Sequence, residues 1–316
     1  MKKLLLAIVA ALFSSFALAQ AYPAKPIRLT VAFPPGGPTD IIARLLSAHL
    51  DSLGQPLVVE NVAGAGGNIA TARVAKAEPD GYTLLVHSSG FAVNPALSSN
   101  AGYDPQKDFQ PIAIVASQPN FIIVHADFPA KTLGELLTLA KREKLAYASP
   151  SSGTTPHLTA ENLFRVKAKV DITHVPFKGA GPMMAAMLGG QPPIGSAAGA
   201  GPMPHIRSGK LRALAVSSSA RLPSLPDVPT LTELGFAGME DYTWIGVFAP
   251  AGTPEAIAQQ LNKAILQAVQ GAAFRERLDT AGFEPTAAPL RQTADYLRAE
   301  LVKWAQVVKD TGAKVD

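Results

Sequence analysis

The feature that most limits the fold of this chain is an alternation of short apolar runs with helix-like runs. Near the start, residues 27–33 are β-rich and end at the Pro-Pro-Gly-Gly loop 34–37. An amphipathic run at 40–53 follows, with Thr39 or Asp40 as its predicted cap. Because a helix separates each strand from the next, the pattern predicts an α/β fold with mainly parallel sheets and right-handed crossovers.

The same order of elements continues to the end of the chain. Residues 111–124 form two strand-like pieces around 117–120, and Pro156 fits the first turn of a helix that follows the loop 150–155. The other predicted elements are strands at 57–59, 82–86, 146–149, 172–177, 211–216 and 244–248, a short helix ending at 77, a capping-box helix at 132–144, a helix after 178–182, and helices at 254–269 and 290–309.

The length of 316 residues gives room for about two domains. Segments 117–120 and 241–244 are the predicted crossing points between them. We therefore expect domain 1 to comprise residues 22–118 plus 246–316 and domain 2 to comprise 119–245, with the C-terminal helix left to pack on either. Two crossings make a hinge suited to closing a cleft.

The N-terminus predicts export. A basic start, an apolar run at 4–16 and a small-x-small site at 17–19 indicate a signal peptide over residues 1–19, with cleavage after Ala19 or, as second choice, Ala21. The alternative is a retained membrane anchor. The chain has no cysteine, which excludes disulfides, thiolate metal sites and lipoprotein anchoring.

Composition and motifs exclude several functions. Apolar residues make up 47% and charged residues 16%, which excludes a disordered chain. Loss of Lys2 and Lys3 with the signal peptide lowers the net charge from +4 to +2, and no basic stripe is interleaved with aromatics, so we expect no nucleic-acid partner. No P-loop, G-x-S-x-G or H-E-x-x-H motif occurs, and the six histidines lack metal-ligand spacing. We therefore expect no metal, no cofactor and no catalytic residues.

Three loops are candidate anion sites because each follows a strand and opens a helix. They are 34–40, 151–155 and 178–181, rich in glycine and hydroxyl side chains. Helix N-termini carry unpaired N–H groups and a partial positive charge, so facing loops would hold a carboxylate. Each loop could equally be an ordinary turn with a cap. The candidate ligand-binding residues in these loops are Pro35, Gly36, Gly37, Thr39, Asp40, Ser151, Ser152, Thr154, Thr155, Lys178 and Gly179, with His157 just beyond the second loop.

Three of these residues have a structural alternative. Asp40 either caps its helix or meets the ligand. His157 either lines the cleft or has a structural role, and Lys178 is either a direct charge for a carboxylate or a solvated loop lysine. A second function stays open beside a binding role: a periplasmic hydrolase using Ser151 or Ser152 with His157.

Nine segments, in order across nearly the whole chain, resemble one protein family. They are YPAKPIR (22–28), FPPGGPTD (33–40), NVAGAGGN (61–68), PDGYTLL (79–85), SSGTTPHL (151–158), HVPFKG (174–179), LRALAV (211–216), LPDVPT (225–230) and WIGVFAPAGTP (244–254). The chain resembles the Bug/TctC periplasmic solute receptors of tripartite tricarboxylate transport systems. The resemblance implies a two-domain periplasmic-binding-protein clamshell.

The resemblance also implies a role. A small carboxylate, such as a di- or tricarboxylate, an acidic amino acid or an aromatic acid, would lie between the domains and be delivered by a periplasmic monomer to membrane transporter subunits. A sensor is the alternative partner. Ser88 and Ser89 are additional contacts implied by the resemblance. The run 183–196 departs from the family because it lacks the usual acidic residues, which favours either an apolar ligand wall or a simple repacking with methionine.

Overall fold

The computed structural model describes residues 22–98 and 100–314, so the predicted signal peptide lies outside the described residues. A first sheet begins with β1 (Ile27–Val31), which pairs in parallel with β2 (Leu57–Asn61) and β3 (Thr83–Ser88). Each of these strands is followed by a helix or helical turn, as the alternation predicts. The carboxyl ends of β1 and β3, and the loops that follow them, therefore lie at one edge of the sheet.

A second sheet repeats this arrangement. In it, β5 (Leu145–Ser149) pairs in parallel with β6 (Ile172–Pro176) and with β7 (Ile194–Ala198). Strand β8 (Leu211–Val216) joins this sheet through an antiparallel pairing with β4 (Phe109–His125). The α/β class is confirmed.

The long strand β4 belongs to both sheets, and a second long strand, β9 (Tyr242–Pro250), pairs with it in the first sheet. Over residues 109–119, β4 pairs antiparallel with β9, which also pairs antiparallel with β3. Over 120–125, β4 pairs with β7 and β8 of the second sheet. The short strand β10 (Glu284–Pro285) pairs with β4. The two pieces predicted within 111–124 are one continuous strand, and the antiparallel pairings of β4 and β9 are a feature that the mainly parallel prediction did not include.

Ten helices flank the sheets in the described residues. They are α1 (Pro38–His49), α2 (Asn68–Val74), α3 (Gly90–Leu97), α4 (Leu133–Ala140), α5 (Thr155–Glu161), α6 (Ala180–Leu188), α7 (Met203–Arg207), α8 (Glu255–Gln270), α9 (Ala272–Thr280) and α10 (Leu290–Thr311). Helix α5 continues as a π-helical turn over Asn162–Lys167. No helix among them is long and apolar enough to cross a membrane.

Two predictions about helix starts have opposite outcomes. The capping box of Thr132 with Glu135 is confirmed, since each group bonds the other's backbone N–H. The prediction that Thr39 or Asp40 caps α1 is wrong, because the helix begins at Pro38 with Gly37 as its N-cap. Proline has the φ of a helix and no N–H to leave unpaired, so it starts the helix early.

Separate groups of buried side chains support the two sheets. Ile27, Leu84 and Ile245 belong to a core beneath the first sheet, and Ile122 and Tyr147 belong to one beneath the second. Both sheets meet on β4, near the predicted crossing points. The domain limits 22–118 plus 246–316 and 119–245 stay a prediction.

The C-terminal helix is anchored to the crossing strand β9. Trp244 of β9 and Trp304 of α10 are both fully buried, and both indole N–H groups donate to Oε2 of Glu300, over 2.7 and 2.8 Å. The indole donors are thereby satisfied inside the core. Helix α10 contacts both α3 and α5, so it packs beside both sheets.

The apolar run 183–196 belongs to the core of the second sheet. Met183 and Met187 are fully buried, and both side chains lie against Gly195 of β7, where a Cβ atom would overlap them. Methionine fills irregular gaps of this kind because its side chain is flexible. This packing favours the repacking explanation for the departure of this run from the family pattern.

Candidate ligand-binding cleft

The loops after β1, β5 and β6 meet in a cleft between the two sheets. The cleft contains about 620 Å³ of space between its atoms, including the part open to solvent. Its lining residues are Phe33, Pro34, Pro35, Gly37, Pro38, Thr39, Ser88, Pro150, Thr154, Thr155, Pro156, Gly179, Ala180, Gly181, Pro182, Ala198 and Thr243. None of them carries a charge.

Loops from the two sheets face each other across this cleft. A Cβ atom on Gly179 would lie 3.3 Å from Cγ of Pro34, and one on Gly66 would lie 3.1 Å from the carbonyl oxygen of Ser152. Gly66 and Gly179 also have φ angles of 64° and 122°, which favour glycine. The glycines of these loops therefore allow the backbones to approach closely.

Three helix N-termini point their first turns at the cleft. The N-cap residues are Gly37 for α1, Thr154 for α5 and Gly179 for α6. In none of the three does an N-cap side chain accept a hydrogen bond from a backbone N–H group of the first turn. The first N–H groups of a helix have no partner within it, and they carry the positive end of the helix dipole. The cleft thus offers main-chain donors and partial positive charge without a cationic side chain in its lining.

The loop of the first sheet is held by the carboxylate of Asp40. This buried group accepts hydrogen bonds from Gly36 N (2.9 Å), Arg44 Nε (2.8 Å) and Asn61 Nδ2 (3.0 Å). Burial acts to raise the pKa of Asp40, but the three donors and the charge of Arg44 outweigh it and leave the pKa below its ordinary value. Asp40 is therefore ionised and fixes the shape of the loop.

The loop of the second sheet is held by neutral histidines. Gly153 N donates to Nδ1 of His157 over 3.3 Å, and the ring of His157 stacks on His174 with centroids 4.1 Å apart. Nε2 of His174 lies 2.7 Å from Oγ of Ser149. Burial lowers the pKa of His157 to about 3, with smaller contributions from His174 and Arg165. Burial and Arg165 lower the pKa of His174 to about 4.

Two lining threonines belong to a buried hydrogen-bond network. Thr155 Oγ1 lies 2.9 Å from Ser89 Oγ and 2.6 Å from Thr243 Oγ1. Thr243 Oγ1 donates to Asn120 Oδ1 over 2.7 Å, and Asn120 Nδ2 donates to Asp241 Oδ1 over 2.6 Å. The network thus links the cleft wall to a buried carboxyl group at the crossing strands β4 and β9.

The predicted site residues fall into three groups. Those that line the cleft are Pro35, Gly37, Thr39, Ser88, Thr154, Thr155 and Gly179. Asp40, Ser89 and His157 are buried and bond to the loops or to Thr155. Ser151 and Lys178 line an adjoining space that shares Phe33, Pro34 and Gly179 with the cleft, Gly36 lines another, and Ser152 lines neither the cleft nor these two spaces. Ligand contact by each stays a prediction.

Thr243 and Ala198 line the cleft but are not among the site residues predicted from the sequence. Thr243 lies within segment 241–244, which was predicted as a crossing point between the domains. A polar residue in that segment was the one sequence feature that could have indicated a place in the cleft. Ala198 ends β7, a strand that was not predicted. Its small side chain gave no chemical signal.

The alternative serine hydrolase finds no matching geometry. His157 Nδ1 accepts from the backbone of Gly153, and the hydrogen bonds of the described residues include none from His157 to Ser151 or Ser152. The serine and histidine that do meet are Ser149 and His174, and Ser149 is fully buried. No group of three potential metal ligands occurs in the described residues.

A cleft between two α/β sheets, joined by crossing strands and lined by helix N-termini, defines a solute receptor of the periplasmic-binding-protein class. The family model described as "Tripartite tricarboxylate transporter family receptor" matches residues 42–313. The chain belongs to this family, which confirms the resemblance seen in the sequence.

Individual proteins agree with this assignment. BugT of Bordetella pertussis is 40% identical over 302 residues, covering 94% of this chain and 92% of BugT. A structure of an R. palustris protein with adipate has a TM-score of 0.88 and 33% identity, covering 93% of this chain and all of that one. MatC from Rhodopseudomonas palustris, with bound malate, has a TM-score of 0.85 and 36% identity, covering 91% and 100%.

Proposed function

We propose that this protein is a periplasmic, monomeric receptor that closes on a small carboxylate and delivers it to a membrane transporter. The two predicted domains, 22–118 plus 246–316 and 119–245, would close about the crossing strands β4 and β9. Closure needs only that the carboxylate bind the closed form more tightly than the open one. The protein makes and breaks no bond in this role.

The observation that carries the proposal is the meeting of three uncapped helix N-termini at a cleft without charged lining. A carboxylate there accepts hydrogen bonds from several backbone N–H groups and is stabilised by the helix dipoles. The six prolines of the lining keep the wall apolar and rigid. Solved relatives with adipate and with malate support a carboxylate as the ligand.

The adjoining space suggests how a dicarboxylate would be bound. It continues from the cleft past Phe33, Pro34 and Gly179 and is lined by the ammonium-bearing Lys178. We propose that Lys178 meets the second carboxylate of an elongated ligand, while the first lies at the helix N-termini. An exposed lysine contributes modestly to such a pair, because water screens the charges.

A thermal-shift panel tests the receptor function. Adipate and malate are compared with their uncharged diamides, using the mature chain and no added metal. A bound acid should raise the melting temperature by mass action, whereas the diamide should not. No shift with any carboxylate would refute the proposal, and consumption of a bound ester or amide would favour an enzyme instead.

The substitution Gly181→Asp separates binding from stability. Gly181 is the second residue of α6, and a Cβ atom there meets no other atom within 4 Å. An aspartate should stabilise the helix, because it replaces glycine and complements the dipole. The same charge should weaken adipate or malate binding at least about tenfold by repelling the carboxylate. Calorimetric titration measures the affinity and thermal unfolding measures the stability.

The matched control is Gly181→Asn, which has the same shape without the charge. It should retain most of the affinity that Gly181→Asp loses. Equal affinities of the two variants would show that no anion approaches the N-terminus of α6.

A further inference from the structure

A chain of buried hydrogen bonds runs from the cleft wall to Asp241. In order, it contains Ser89, Thr155, Thr243, Asn120 and Asp241. All five side chains are at most about one-twentieth exposed. A chain of this kind has a direction, because each hydroxyl group has one proton to donate.

The carboxylate at one end fixes that direction. An ionised carboxylate only accepts, so the amide group of Asn120 must turn Nδ2 toward Asp241, over 2.6 Å. Its Oδ1 therefore faces Thr243, at 2.7 Å. An amide oxygen has no proton, so Thr243 is the donor in that bond.

The direction then passes outward to the cleft. Because the proton of Thr243 is used by Asn120, the 2.6 Å bond between the two threonines must be donated by Thr155. The proton of Thr155 is then used as well, and Ser89 donates to Thr155 over 2.9 Å. Thr155 and Thr243 each keep one unused lone pair and no free proton.

The groups around Asp241 agree with an ionised carboxylate at neutral pH. Thr159 Oγ1 lies within hydrogen-bond distance of both Oδ2 of Asp241 (2.9 Å) and the carbonyl oxygen of Thr155 (2.8 Å). The ammonium group of Lys303, on α10, bonds the carbonyl oxygen of Glu240 beside Asp241. Burial raises the pKa of Asp241 to about 6, while Lys303 and the hydrogen bonds oppose that rise. Ionisation is thus favoured above that pH.

The other charged or titratable groups on neighbouring elements have their own partners. Glu300 on α10 accepts from Trp244 and Trp304 and lies 3.7 Å from Lys303. On α5, Glu161 bonds Tyr147 and Arg165, and His157 stacks on His174. On β9, the hydroxyl group of Tyr242 meets Ser219.

We infer that Thr155 and Thr243 form an acceptor wall, which binds a hydrogen-bond donor on the ligand while the helix N-termini bind its carboxylate. The inference rests on the proposed receptor function and names its ligand class: a carboxylate bearing a hydroxyl or an ammonium group. An unsubstituted acid leaves both lone pairs without a donor, and an unmet buried acceptor costs free energy. A carboxylate at this wall would be repelled by the same lone pairs.

Calorimetric titration at pH 8, where Asp241 is ionised, tests the inference with three carbon skeletons. The sets are succinate, malate and aspartate; adipate, 2-hydroxyadipate and 2-aminoadipate; and phenylacetate, mandelate and phenylglycine. Within each skeleton that binds, the hydroxy or amino acid should bind at least about tenfold more tightly than the parent acid, equal to about 1.4 kcal/mol. Comparison of the hydroxy and amino members identifies which donor the wall accepts.

Two variants locate the preference. Thr243→Val keeps the shape of the side chain but removes the acceptor and frees the proton of Thr155, so the preference should fall to about onefold or reverse. Thr243→Ser keeps the hydroxyl group and should restore it. Thermal unfolding of both variants without added acid shows that each is folded.

The possible outcomes separate the two proposals. If parent acids bind as tightly as their substituted partners, or if Thr243→Val keeps the preference, the acceptor wall is wrong while the receptor function stands. If no acid of any skeleton binds, both proposals fail.

Discussion

Two loops form opposite walls of the cleft: residues 34–40 form the first wall, and residues 151–155 form the second. Both loops are held by hydrogen bonds of the same geometry, but the chemistry of the acceptor differs. In the first, the N–H group of Gly36 donates to Asp40, and in the second that of Gly153 donates to His157. Both glycines have left-handed φ angles, of 82° and 78°, and both acceptors are the third residue of the helix that follows. The acceptor is an ionised carboxylate in one wall and a neutral ring in the other.

The difference follows from the neighbours of each acceptor. Asp40 has Arg44 and Asn61 as further donors, which stabilise its charge. His157 is buried against His174, and burial holds its pKa at about 3. The same loop shape can therefore be held by a charge where donors surround it, or by a neutral group where burial excludes the charge.

The walls should also respond to acid in different pH ranges. The lowered pKa of His157 means that the unfolded chain binds a proton more readily, so its contribution to stability is lost as pH falls from 6.5 toward 3. The lowered pKa of Asp40 gives a contribution that is present above 3.8 and is lost as pH falls below that value.

The largest expected effect comes from placing the acceptor of the first wall in the second. His157→Asp places a carboxylate in a buried position, and the nearby cation, Arg165, is already paired with Glu161. An uncompensated buried charge should lower the free energy of unfolding by about 3–5 kcal/mol at pH 8. The loss should be smaller at pH 5, where the buried carboxyl group binds a proton. Urea-induced unfolding at both pH values measures the difference from the unsubstituted protein.

The control for that charge is His157→Asn, which has nearly the same shape. At pH 8, the free energy of unfolding of His157→Asn should lie closer to that of the unsubstituted protein than the value of His157→Asp does. If the two variants are equally stable there, burial does not exclude charge from the second wall.

An intermediate effect is expected at the first wall. Asp40→Asn removes the negative charge of the carboxylate that accepts hydrogen bonds from Gly36, Arg44 and Asn61. Hydrogen bonds to charged groups are worth about 1.5–3 kcal/mol. Stability at pH 7 should fall by about 2 kcal/mol, within that range. The difference should shrink below pH 3.8, as the carboxyl group of the unsubstituted protein binds a proton.

Arg44→Gln is the matched change on the donor side. The side chain of Arg44 is 57% exposed, so its pair with Asp40 is screened by water, and the loss of stability should be much smaller than that of Asp40→Asn. A loss equal to that of Asp40→Asn would mean that the salt bridge, and not the loop bonds, stabilises this wall.

Local patterns predicted most of the fold. The alternation at 27–53 identified β1 and α1, and only the start of α1 was misplaced, by the early proline Pro38. Strand β7 was missed because Gly195 and Ser196 interrupt its apolar character. Helix α3 was missed because it contains Pro95, which ordinarily breaks a helix. These elements depend on tertiary packing more than on local preference.

The site was predictable only where one loop carried the signal. Glycine and hydroxyl residues before a helix indicated Gly37, Thr154 and Gly179, which do line the cleft. The stack of His157 on His174 and the bond of Thr155 to Thr243 join residues distant in the chain. Such contacts depend on how β5, β6 and β9 are arranged, which no local pattern contains.

A modest effect on stability is expected from replacing the two glycines that donate to the acceptors. Gly36→Ala should cost about 1–2 kcal/mol from its left-handed φ alone, because a Cβ atom there meets nothing within 4 Å. Gly153→Ala has nearly the same φ, but its Cβ atom would overlap Oδ1 of Asn94 on α3. Asn94 cannot easily turn away, since its Nδ2 donates to Gly66 and Asn68.

The two alanine variants should therefore differ in binding more than in unfolding. Asn94 belongs to α3 beside the first sheet, and Gly153 belongs to a loop of the second sheet. In the closure that we propose, the overlap would therefore oppose closing and be relieved by opening. We expect Gly153→Ala to bind adipate or malate about tenfold more weakly than Gly36→Ala, a difference of about 1.4 kcal/mol. Titration calorimetry on both variants measures this ratio. Equal affinities would mean that the contact between Asn94 and Gly153 is absent from the bound form, and that the second wall closes without it.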